Sequence, residues 1–102
     1  MIYVIANIEL AVGKRALYLQ ELNKNVPLVR SENGCLQYGA AADVTTGIPV
    51  QAPIDENTVT IMEQWADVDA LKAHLTAPHM LTYREAVKDC VKRVTIRVLE
   101  PI

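Results

Sequence analysis

The chain has 102 residues, 10 Lys+Arg against 12 Asp+Glu for a formal net charge of −2, and 51% hydrophobic residues. One domain over residues 1–102 fills that length and leaves no room for a second core. The charge is too evenly scattered for a nucleic-acid surface, and the longest apolar run, Met1–Ala6, is far short of the ~20 residues that span a bilayer.

The chain begins with a strand over Ile2–Leu10, in which Ile2, Val4, Ala6, Ile8 and Leu10 alternate with Tyr3, Ile5, Asn7 and Glu9. The second set starts apolar as well, so this strand is expected to be covered on both faces. Gly13 opens a helical stretch with Leu19, Leu22, Val26 and Val29 at helical spacing. Pro27 lacks a donor, so a helix to about Asn25 and a short second one from Pro27 are predicted. Asn33-Gly34 suits a left-handed C-terminal cap. Cys35–Asp43 reads as a second strand, Thr45–Asn57 as a long loop with Gly47, Pro49 and Pro53, and Thr58–Trp65 as a third strand. Asp67 is a good N-cap for a helix carrying Val68, Leu71 and Leu75. Pro78 starts another, with Met80, Tyr83, Val87 and Cys90 on one stripe, and Lys92–Leu99 closes the chain as a fourth strand with Val94, Ile96 and Val98 on one face.

The order is βαββαβ with both helices broken by a proline, which predicts an α+β, ferredoxin-like fold: an antiparallel four-stranded sheet with helices on one face. The apolar share is high for so small an interior. The helix-free face is therefore expected to pack against the same face of a second copy, making a homodimer. Met1–Ala6 has no basic segment before it and is followed by Asn7 and Glu9, so it does not read as a signal peptide. Cys35 and Cys90 are too few for a disulfide scaffold, and reduced thiols in the cytoplasm are expected.

No metal, phosphate-loop, nucleophile-elbow or dinucleotide motif is present; His74 and His79 are five apart with Pro78 between, unlike the i, i+4 pair of zinc helices. What remains is a group of polar and aromatic residues at corresponding ends of elements: Asn7, Trp65, His74, His79, Tyr83 and Arg84. His74 sits at the edge of an apolar stripe, between helix packing and service as a general base. Asn7, in a strand covered on both faces, needs hydrogen-bond partners or a polar pocket. Trp65 and Tyr83 suit packing, and His79, Arg84 and Arg97 suit the surface.

The stretch Met62-Glu63-Gln64-Trp65, followed by Ala70-Leu71-Lys72-Ala73-His74-Leu75 and Pro78-His79-Met80, resembles the signature of the antibiotic-biosynthesis monooxygenase (ABM) domain family. Glu32-Asn33-Gly34-Cys35-Leu36-Gln37-Tyr38 resembles that family's acidic-x-Gly-Cys segment. Tyr83-Arg84-Glu85-Ala86-Val87 and Ile96-Arg97-Val98-Leu99-Glu100-Pro101 are similar to its bacterial quinol monooxygenase branch. The resemblance implies a dimeric α+β barrel with a cavity between sheet and helices in each subunit. It implies oxidation of a quinol or polycyclic phenol by O₂ without metal, flavin or haem. On that reading His74 is the base with His79 as alternate, Asn7 bonds a substrate oxygen, and Trp65, Met62, Tyr83 and Arg84 bind the ring system. Haem-degrading relatives carry an Asn, a Trp and a His; Asn7 matches the first, but His74 stands at the Trp position and Arg84 roughly at the His position. The axial ligand is missing, so haem is not expected. The alternative is a non-catalytic small-molecule-binding or stress-response module on the same dimeric barrel; an isomerase relative acting on a phosphorylated autoinducer would need a basic phosphate site, and the sequence offers none.

Overall fold

The computed structural model describes all 102 residues. Its elements are β1 (Ile2–Leu10), α1 (Arg15–Arg30), β2 (Cys35–Ala41), β3 (Thr58–Trp65), α2 (Val68–Leu75), α3 (Pro78–Val87) and β4 (Val91–Leu99). The strands form one sheet in the order β2-β3-β1-β4, every neighbouring pair antiparallel. This is the expected ferredoxin-like arrangement. No helix is long and apolar enough to cross a membrane.

The period of two in β1 decides which side is the core. Ile2, Val4, Ala6, Ile8 and Leu10 are all buried. The register sets Trp65, Glu63, Ile61 and Val59 opposite Ile2, Val4, Ala6 and Ile8, so these share one face. Leu22, Val29, Leu71, Met80 and Val87 close over it from the helices. The other face has no helix. There Tyr3, Asn7 and Met62 are exposed, beside Thr95 and Arg97 of β4. Within one chain β1 is covered on one face only, because all three helices lie on the same side of the sheet. The helix-free face is also more polar than expected, its apolar part being a patch of Tyr3, Ile5, Met62 and Leu99 at one end.

Three local expectations change. Pro27 does not break α1, which runs unbroken from Arg15 to Arg30. The proline costs one ladder bond, but Leu22, Asn25 and Val29 are buried on both sides of it, and the Ser31 amide donates to the Pro27 carbonyl at 3.2 Å. The buried stripe is Tyr18, Leu22, Asn25 and Val29, rotated from the predicted one, with Leu19 and Val26 on its margin. Gly34 does take a left-handed conformation, φ +84°, but in the turn before β2 rather than as the helix cap.

Elsewhere local chemistry sets the boundaries as read. The Asp67 side chain caps α2 by accepting from the Ala70 amide at 2.8 Å. Pro78 opens α3 behind an extended Ala77. β2 ends two residues earlier than expected and β4 starts one earlier. The loop before β3 is tied by its own bonds, such as Gln51 Nε2 to the Val44 carbonyl at 2.7 Å, and by Arg15 Nη1 to the Glu56 carbonyl at 2.6 Å.

Candidate active site

Between the sheet and the helices α2 and α3 lies a cavity of about 370 Å³. Ala6, Ile8 and Ile61 form its floor, continued by Val94 and Ile96 on β4, where no helix covers the strand. Met80 and Val87 form the opposite wall. This size and apolar character suit a small organic ring system. Polar groups enter at few points: His74 from α2, Glu63 from β3, Tyr38 from β2, Tyr83 and Arg84 from α3, and Lys88 at its C-terminal cap. No residue of the long loop lines the cavity.

His74 is 2% exposed and held on three sides. Its ring lies against Trp65 at 4.6 Å between centroids, tilted 36°, and meets Tyr38 edge-on at 5.7 Å. Its Nδ1 is 2.7 Å from Glu32 Oε2. The same carboxylate oxygen lies 3.1 Å from His79 Nε2. With Glu32 as a carboxylate, which can only accept, both hydrogens belong to the histidines. His74 is thereby fixed with its hydrogen on Nδ1 and its lone pair on Nε2. No fully buried side-chain nitrogen or oxygen lacks a partner. His74 Nε2 makes no bond within the protein and is therefore not fully buried, and His74 lines the cavity, which leaves this nitrogen as the atom available to a guest there.

The turn that delivers Glu32 depends on Gly34. A Cβ at Gly34 would stand 2.7 Å from the Ala70 Cβ, so only glycine lets the turn settle on α2. The Gly34 carbonyl accepts from the Ala66 amide at 2.8 Å, locking this turn to the end of β3.

Burial is the main influence on the titrating groups. It holds His74 below the ordinary histidine value of 6.5, the bond and charge of Glu32 pulling the other way and His79 and Arg84 reinforcing the decrease. It raises the Glu63 carboxyl above 4.5, while the hydrogen bond from Trp65 Nε1 at 2.8 Å opposes the rise. Tyr38 and Tyr83 are raised as well, chiefly by burial, and the Tyr83 hydroxyl is paired with that of Tyr18 at 2.6 Å.

The structure thus brings His74, Tyr83 and Arg84 together at one cavity. Trp65 is buried behind His74 and braces it. His79 does not line the cavity; it is linked to it only through Glu32 and then His74, its own side chain facing a separate groove beside Asn25 and Thr82. Asn7 and Met62 are not brought in. Both are exposed on the helix-free face, where Asn7 Oδ1 is 3.5 Å from the Thr60 hydroxyl. Glu63, Tyr38 and Glu32 were not among the residues singled out from sequence. For Glu63 the signal was there, a carboxylate in the inward register of Val59, Ile61 and Trp65; for Glu32, 42 positions from His74, the sequence offered only its place as the acidic residue of the Glu32–Cys35 segment, with nothing to tie it to His74.

Glu32, His74 and His79 present donor atoms within 4.8 Å of one another, a two-histidine, one-carboxylate set of the type that first-row divalent ions accept. Histidines whose sequence spacing gives no metal motif converge because they sit on different helices. The hydrogen bonds to Glu32 already account for each of these donor atoms.

Residues 1–86 match the family described as antibiotic biosynthesis monooxygenase, ABM. The chain belongs to the ABM family. It is 40% identical to "Probable quinol monooxygenase YgiN" of Escherichia coli K12 over 103 aligned positions, covering 99% of this chain and 98% of that protein. Among solved structures it is similar to PA3566 from Pseudomonas aeruginosa, with a TM-score of 0.82 at 29% identity over 99% of this chain and 93% of the other. Rv0793 from Mycobacterium tuberculosis superposes with a TM-score of 0.80 at 25% identity, covering 99% and 94% of the two chains. In this ABM chain the matched span includes Glu32, Glu63, His74 and His79.

Proposed function

We propose that this ABM protein is a monooxygenase that oxidises a quinol or related polycyclic phenol with O₂, using no metal, flavin or haem. The observation that carries this reading is a histidine base, oriented by Glu32, opening on an apolar cavity. Family membership and the likeness to a relative named for quinol oxidation support it.

O₂ is a triplet and reacts slowly with closed-shell molecules, whereas a phenolate gives up one electron readily. His74 Nε2 takes the phenolic proton, and Glu32 stabilises the imidazolium that forms through its bond to Nδ1. The anion then passes one electron to O₂, and the resulting pair combines at a ring carbon. Loss of water completes the reaction: quinol plus O₂ gives hydroxyquinone plus water, with one oxygen atom in each product. Tyr83 and Arg84 border the ring, and Arg84, exposed at the mouth, faces the developing negative charge. No step uses Asn7 or Met62.

The patch of Tyr3, Ile5, Met62 and Leu99 is the part of the helix-free face that a second copy would bury, giving a homodimer. Sedimentation at twice the 11.3 kDa of one chain, reverting to one chain in Ile5→Glu, is the expected result. Two free thiols, Cys35 and Cys90, suit a reducing compartment such as the cytoplasm.

The activity is tested with an oxygen electrode. Chelator-treated protein should accelerate O₂ uptake by anaerobically prepared menadiol well beyond autoxidation. Uptake at the autoxidation rate with menadiol and other polycyclic phenols would leave the binding-module reading in its place.

A further inference from the structure

We propose that Glu63 receives a second hydroxyl group of the substrate, so that the cavity selects aromatic diols over monophenols. This deepens the quinol reading and rests on it.

Glu63 is 7% exposed, in the middle of β3, paired in register with Val4 on one side and Tyr38 on the other. A carboxyl group there is costly, because its neighbours on the inward face of β3 are Ile61 and Trp65 and no cation bonds it. A hydrophobic residue would serve the core better. The carboxyl is half satisfied: Trp65 Nε1 donates to Oε1 at 2.8 Å, and Oε2 makes no bond within the protein. Since no fully buried polar side-chain atom lacks a partner, Oε2 opens on the cavity that Glu63 lines.

The second acceptor is tied to the first. Trp65 bonds Glu63 through its indole nitrogen and lies against the His74 ring through its face. One rigid side chain therefore fixes both proton acceptors, His74 from the helix layer and Glu63 from the sheet, around a single cavity. A substrate with one hydroxyl satisfies only one of them. Burial raises the proton affinity of the Glu63 carboxyl, which strengthens its acceptance of a hydroxyl hydrogen.

Glu63→Gln gives a sharper test than simple loss. The Trp65 indole still needs an acceptor, so the amide oxygen turns to it and the amide NH₂ faces the cavity. A donor then stands where an acceptor stood. Binding is measured anaerobically, without turnover, for 1,4-naphthalenediol, 1-naphthol and menadione. The wild-type protein should prefer the diol over 1-naphthol by roughly tenfold or more. Glu63→Gln should lose that preference and bind menadione, whose carbonyls accept, more tightly than wild type does. A wild-type protein that binds 1-naphthol as well as the diol overturns the proposal, and that comparison stands even where the variant fails to fold. A folded Glu63→Gln with unchanged diol preference overturns it too. Because no oxidation is involved, a Glu63-dependent diol preference without O₂ uptake would count against the monooxygenase reading alone. O₂ uptake without that preference would count against Glu63 alone.

Discussion

Glu32 and His74 are 42 residues apart in sequence, yet Glu32 Oε2 lies 2.7 Å from His74 Nδ1. The pair fixes the histidine tautomer and leaves Nε2 as the basic atom. His74→Ala removes the base and should lower kcat with menadiol about 10²–10⁴-fold. Glu32→Gln keeps an acceptor but not its charge, so the expected loss is smaller, about tenfold or more. Steady-state kinetics on folded variants read both, and a Glu32→Gln enzyme as fast as wild type would remove Glu32 from the mechanism.

The acid limb of kcat/KM should lie below pH 6.5. A general base works only when neutral, and burial depresses His74 below that value, so the working form persists into more acidic solution. Glu32 opposes this depression, so Glu32→Gln should move the limb further toward acid. A pH–rate profile with its acid limb above 6.5, or one moved upward in the variant, contradicts the assignment.

Glu63 should make the fold less stable as the pH rises. Its folded-state proton affinity is raised above the ordinary carboxyl value of 4.5, so the native state holds a proton that the unfolded state has released. The stability lost is absent in acid and grows as pH climbs from 4.5 through the raised folded value. Glu63→Gln has no proton to lose and should melt a few degrees higher than wild type near neutrality, the gap closing near pH 4. Thermal melts across that range check the sign; a gap that widens in acid refutes it.

Gly34→Ala should loosen the site as well as the fold. The left-handed conformation at φ +84° and the 2.7 Å approach to Ala70 both penalise a Cβ. A destabilisation of about 1–3 kcal/mol follows from the backbone alone. Because this turn carries Glu32, the acid limb of the variant should also move, in the direction predicted for Glu32→Gln. Melting curves and the pH profile measure the two effects separately.

The elements were legible wherever local chemistry decides them. Asp67 caps α2 and Pro78 begins α3 where read, and Thr58–Trp65 is the third strand to the residue. Pro27 misled because burial of Leu22 and Val29 outweighs one missing hydrogen bond. Asn7 misled for a different reason. Alternation shows which residues of a strand share a face, but not which face the helices choose, and both sets in β1 begin apolar. Among the site residues, His74 stood out as an imidazole at the edge of an apolar stripe. Its partner Glu32 is set by the docking of a turn on α2, a long-range event that leaves no periodicity. Glu63 had a visible signal, a charge in an inward register.

The most direct test of the account is oxidation of menadiol under ¹⁸O₂ with mass analysis of the product. The proposed reaction places one labelled atom in the hydroxyquinone and the other in water, and His74→Ala forms the labelled product about 10²–10⁴-fold more slowly. Unlabelled menadione accompanied by hydrogen peroxide, or labelling that persists at the wild-type rate without His74, would contradict it.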